Sequence, residues 1–124
     1  MKTNNLIVDS FDKLPSPSYV CEEKLLENNL KLLKRIQDET DVNILLALKG
    51  FALWSTFDLC KKYLKGCCAS GLHEAILAKE EFGGEVHTYS AAFKDDEIDE
   101  IISISNHVVF NSFNQLKRYK DKAF

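Results

Sequence analysis

Lys49 is the residue in this chain whose type and setting most invite chemistry. It closes the apolar run Asn43-Ile44-Leu45-Leu46-Ala47-Leu48 and is followed at once by Gly50. A run of this length reads as a strand buried on both faces, as in a parallel sheet. Side chains alternate along a strand, so Leu45, Ala47 and Lys49 would share one face, with the small Ala47 beneath the charge. A lysine ending a buried strand needs a partner or must give up its proton. A desolvated amine of that kind attacks aldehydes to form a Schiff base. The alternative is a lysine that snorkels past the strand end into water.

Other candidates carry weaker chemistry. His73 and Glu74 are neighbours, but adjacent residues in a helix diverge by about 100 degrees, so they do not read as an acid–base pair. Asp95, Asp96, Glu97, Asp99 and Glu100 form an acidic run that would suit a cation, or simply a solvated helix start. Trp54 and Phe57 read as packing residues. Asn111 and Ser112 fit a strand end and a helix cap. The four cysteines have no CxxC spacing, so a metal site or disulfide framework has no support, and buried free thiols are expected at Cys21, Cys60, Cys67 and Cys68.

The elements that would hold Lys49 follow from periodicity. Residues 1–20 read as an extended lead-in, kept out of helix by Pro15 and Pro17, with a short strand over Ser18–Cys21. A helix from Glu22 to about Glu39–Thr40 would bury Leu26, Leu30, Leu33 and Ile36. After Lys49, a second helix carries Leu53, Phe57, Cys60 and Leu64 on one stripe and ends at Gly66. Cys67–Ser70 is a second strand, His73–Phe82 a third helix, and Gly83-Gly84 a stop. Val86–Ala91 is a third strand, followed by a helix burying Ile98, Ile101 and Ile102. His107–Asn111 is a fourth strand. Ser112 and Gln115 make a capping-box pattern for a last helix through Leu116, Tyr119 and Ala123.

Strands followed each time by one helix are the grammar of a parallel βα repeat. Four units make either an open doubly wound sheet or half of a (β/α)8 barrel, which needs about 250 residues to close. No GxGxxG or GxxxxGK[ST] loop follows any strand, so dinucleotide and P-loop versions are unsupported. Either architecture puts ligands at the C-terminal strand ends, here Lys49, Ser70, Ala91-Ala92 and Asn111-Ser112. The 124 residues make one domain's worth of chain. A net charge of −3 without a basic stripe argues against nucleic acid. No run has the length of a membrane span and no signal-peptide pattern opens the chain, so a cytoplasmic protein is expected.

With the strand ends placed, five stretches in order carry a resemblance: Ser16–Val20 (SPSYV), Ile44–Ala52 (ILLALKGFA), Ala69–Ala75 (ASGLHEA), Phe82–His87 (FGGEVH) and Val109–Phe113 (VFNSF). Together the sequence resembles the carboxynorspermidine (carboxyspermidine) decarboxylases. These belong to the fold-type III pyridoxal-phosphate enzymes, with ornithine and diaminopimelate decarboxylases and alanine racemase. The resemblance implies α/β architecture as the N-terminal half of a (β/α)8 TIM-like, alanine racemase-like barrel. It implies that Lys49 carries pyridoxal 5'-phosphate, with Ala47 below it and Ser70 and Glu74 near the cofactor. The decarboxylase relatives usually have one residue fewer between that serine and glutamate. The implied substrate is carboxynorspermidine or carboxyspermidine, giving norspermidine or spermidine in polyamine biosynthesis, by an enzyme that is a homodimer when complete.

Residues 1–124 would then be a partial cofactor-binding barrel domain of about four βα units. The family's phosphate-binding glycine loop, ring-stacking histidine, pyridine-nitrogen acid and C-terminal β domain would lie past Phe124. His73, His87 and His107 need not substitute for the stacking histidine. The resemblance therefore implies a chain that is not catalytically competent alone, with two open strand edges and one uncovered apolar face inviting self-association. Another fold-type III protein, including the single-barrel pyridoxal-phosphate carrier, and a non-catalytic α/β binding module in which Lys49 contacts an anion are the rival readings.

Overall fold

The computed structural model describes residues 12–123, so the first eleven residues of the expected lead-in lie outside it. Among the described residues the first α-helix is α1, Glu23–Thr40, which ends as Asp41 turns into the left-handed region at φ 57°. Four short strands follow: β1 Leu45–Ala47, β2 Gly66–Ala69, β3 Glu85–Ser90 and β4 His107–Phe110. A 3-10 turn over Trp54–Thr56 and the single turn α2, Phe57–Cys60, link β1 to β2. Helix α3, Leu72–Leu77, widens into a π-helical turn over Ala78–Phe82 before β3. Helix α4, Ile98–Ile104, precedes β4, and α5, Phe113–Ala123, follows it.

All the strand pairs are parallel and lie in the order β1-β2-β3-β4. A doubly wound sheet reverses direction from an internal strand and so gathers helices on both faces. Here every step goes the same way, and crossovers of one hand then put every helix on one face. That arrangement is four consecutive βα units of a barrel, as the sequence leads one to expect, and the open doubly wound alternative is set aside.

One face of the sheet is dry. Cys67, Ala69, Val86 and Thr88 are buried beneath the helices, packed with Leu30, Phe57, Cys60, Ala75, Ala78 and Phe82. The fully buried Ala75 and Ala78 let α3 lie close to the strands, and Phe57 meets Phe82 edge to face at 5.4 Å. A second cluster under β4 holds Phe93, Ile98, Ile101 and Tyr119. The buried Thr88 hydroxyl is satisfied by Ser105 Oγ at 2.8 Å.

Several expectations are corrected. Residues 18–21 form no strand. The first strand is only three residues long and is covered on one side, because among the described residues no second layer faces Leu45 and Ala47. On α1, Ile36 is 38% exposed and Gln37 is buried in its place. Phe57 packs as expected, but Trp54 is 65% exposed on its turn. Cys60 and Cys67 are buried free thiols, whereas Cys21 is half-buried and Cys68 is exposed. The uncovered face is not wholly apolar: it presents Ala47, Cys68, His87, Tyr89 and Val109 together.

Candidate active site

The C-terminal strand ends gather the residues singled out in the sequence. Leu48 still donates its N–H to Cys68 O across the ladder at 3.0 Å, and its side chain is buried. The chain then turns sharply, since Gly50 N–H and Phe51 N–H both donate to Ala47 O at 3.0 and 3.1 Å. Lys49 therefore sits in a turn just past β1 and is exposed, not desolvated inside a strand. Ala47, directly before it on the open face, is exposed as well and leaves room there.

Lys49 stands close enough to Cys68 to act on it electrostatically. Burial pushes the Cys68 thiol up from its ordinary value, and the Lys49 ammonium draws it part of the way back. Cys67, pointing the other way into the core, is pushed up to about 12, chiefly by burial. At pH 8 iodoacetamide is expected to modify Cys68 in the folded chain while Cys67 and Cys60 react only on unfolding. Lys49→Met is expected to slow Cys68 specifically, because loss of the cation leaves the burial effect unopposed. Peptide mass mapping against time checks both; an unchanged Cys68 rate would separate the two side chains.

Ser70 follows β2 at the same rim. Its backbone N–H donates to Glu74 Oε2 at 2.7 Å, and Glu74 lies in the first turn of α3. The carboxylate thus reaches back over the helix N-terminus, where negative charge is favoured. The structure brings Ser70 and Glu74 into contact, and Lys49 and Ala47 lie on the neighbouring strand end. His73 is exposed and takes no part in this contact.

The remaining strand ends are mostly structural. Tyr89 OH donates to Asn111 Oδ1 at 2.9 Å, and Ser112 Oγ caps α5 by accepting from Gln115 N–H at 3.3 Å. The other half of the expected capping box does not form, because the Gln115 side chain donates instead to Ala91 O at 2.6 Å. The acidic run is largely engaged: Asp95 pairs with Arg118 and accepts from Tyr119 OH, Glu97 pairs with Lys94, and Asp99 with Lys122. It behaves as a helix start tied to α5, not as a free cation-binding strip. What the sequence did not reveal is the meeting of Glu85, His87 and His107 on the open face, since only strand pairing unites them.

Known proteins resemble this chain in sequence and fold. No family model matches the chain. A carboxynorspermidine/carboxyspermidine decarboxylase of Campylobacter jejuni is 46% identical over 91% of this chain. A carboxyaminopropylagmatine decarboxylase of Synechocystis is 45% identical over 87% of it, and a carboxynorspermidine/carboxyspermidine decarboxylase of Herminiimonas arsenicoxydans 39% over 89%. The chain spans only 30%, 28% and 30% of their lengths. The crystal structure of the Campylobacter jejuni carboxynorspermidine decarboxylase complexed with norspermidine superposes with a TM-score of 0.86 at 46% identity, over 89% of this chain and 30% of that one. In sequence and in fold, this chain is therefore similar to a segment, less than a third in length, of the carboxynorspermidine/carboxyspermidine decarboxylases.

Proposed function

We propose that the chain is part of a pyridoxal-phosphate-dependent decarboxylase acting on carboxynorspermidine or carboxyspermidine in polyamine biosynthesis, and that Lys49 is its cofactor-bearing lysine. The observation that carries this reading is an accessible amine in the turn directly after β1, at the rim where parallel βα folds hold their ligands. The small Ala47 before it, and the Ser70–Glu74 contact on the next strand, leave an open, polar rim that fits the cofactor. Lys49 would hold the cofactor covalently, Ser70 would offer its hydroxyl at the rim, and Glu74 would keep the Ser70 loop in place. When bound, the cofactor supplies the electron sink for loss of a carboxylate next to an amine.

A polyamine substrate accords with the norspermidine bound to the Campylobacter jejuni relative. The Synechocystis relative favours a second reading, in which the substrate is an agmatine derivative ending in a guanidinium group. A cytoplasmic setting and a homodimeric whole enzyme belong to the same proposal. Among the described residues no helix is long and apolar enough to cross a membrane.

Reductive trapping tests the assignment. The chain is incubated with pyridoxal phosphate, reduced with borohydride, and the modified lysine mapped by peptide mass. Selective labelling of Lys49, lost in Lys49→Ala, is expected; labelling spread evenly over the lysines would overturn it. Turnover is a separate matter, because barrel enzymes draw catalytic groups from several strand ends and this chain presents four. Incubated alone with pyridoxal phosphate and carboxynorspermidine, the 124-residue chain is expected to release no carbon dioxide above the rate with free cofactor.

A further inference from the structure

Three side chains on the open face converge on β3 and β4, where His87 and His107 continue the row of strand pairs that Ala47 and Cys68 begin. Glu85 and His87 are two residues apart on β3 and so point the same way. His107 opens β4 and is paired in register with His87. The two imidazole centroids lie 4.3 Å apart at 54°, and Glu85 Oε2 is 3.0 Å from His87 Nε2. One ligand atom from each residue lies within 4.8 Å of the other two.

Two imidazoles and one carboxylate are a donor set for zinc, with the remaining coordination positions left to water. Zinc bonds near 2.0–2.2 Å in a tetrahedron set ligand atoms about 3.3 Å apart. The trio reaches that spacing by side-chain rotation, since all three are at least partly exposed. Asn43 Nδ2 stands 3.4 Å from the other carboxylate oxygen, Glu85 Oε1, where it orients Glu85 and leaves Oε2 free to turn toward the histidines.

The geometry points to a Zn2+ site formed by Glu85, His87 and His107. Strand register sets His87 and His107 level with Ala47 and Cys68, two and three strands across the sheet from β1, and none of the three ligands has a role in the decarboxylase assignment, so the site is tested separately from it.

Cobalt(II) serves as the visible probe, titrated into the 124-residue chain at pH 7.5 and displaced by zinc. One equivalent with visible bands of a low-coordinate nitrogen–oxygen site, removed by one equivalent of Zn2+, is expected. His107→Ala and Glu85→Gln should each weaken binding at least about tenfold, and His73→Ala should leave it unchanged. His107 and Glu85 are not in the core, and far-UV circular dichroism verifies that each variant keeps its fold. Unaltered affinity in both variants, no saturable binding, or thiolate charge-transfer bands placing the metal on Cys68 would each overturn the site.

Discussion

Gly66→Ala is expected to destabilise the folded chain by about 3 kcal/mol or more, a large share of a small domain's stability. Gly66 is buried where β2 begins, paired with Glu85 at the start of β3. A Cβ there would stand 1.9 Å from the Glu85 carbonyl oxygen and 2.6 Å from both its carbon and its nitrogen. These are backbone atoms, so no rotamer change relieves the overlap and the two strands must separate. The pairs that follow, Cys67 with Val86 and Cys68 with His87, lie at the centre of the sheet and would be strained with it. Urea denaturation followed by circular dichroism measures the loss. Gly71→Ala is the control, because a Cβ there meets nothing within 4 Å and the backbone is extended at φ 170°; the helix-cap change should cost about 1 kcal/mol or less. Equal midpoints for Gly66→Ala and the unmodified chain would contradict the close approach of β2 and β3.

Gln37→Met is the second large effect, expected at about 2–4 kcal/mol from two lost hydrogen bonds in a buried setting. Gln37 is only 5% exposed. Its amide nitrogen donates to Tyr63 O at 2.7 Å, and its amide oxygen accepts from Ile44 N–H at 2.8 Å. One side chain thus ties α1 to the entry of β1 and to the loop before β2. Methionine keeps the volume and strands both backbone groups, which isolates the polar contribution. Ile36→Ala, on the exposed side of the same turn, should cost less than about 1 kcal/mol. A Gln37→Glu variant adds a pH signature. Its carboxylate could still accept from Ile44 but would face the Tyr63 carbonyl, which raises its folded pKa above the unfolded value. The acid form is then favoured by folding, so the variant should recover stability as pH falls through that folded pKa and lose it as pH rises. Unfolding midpoints at several pH values read this out.

The two substitutions mark the division between what the chain spells out and what it does not. By itself the sequence determined the βα repeat, because apolar periodicity, the Gly83-Gly84 stop and the Ser112 cap are local signals acting within one or two turns. Gly83 and Gly84 do take positive φ, 73° and 76°, as a helix stop requires. It also determined that Lys49 and Ser70 stand at C-terminal strand ends, since that follows from strand boundaries alone. Only the tertiary structure decided the rest. Whether the steps β1 to β4 run in one direction, leaving one face bare, depends on pairings between residues about 20 apart. Cys68 is exposed on that bare face where a buried thiol was expected, and Lys49 is exposed because the chain turns sharply just past β1. Gln37 displaced Ile36 from the core because two backbone groups on other elements needed a partner there, a demand invisible in a hydrophobic stripe. Glu85, His87 and His107 became neighbours because strand register, set by packing across the whole sheet, brought β4 alongside β3.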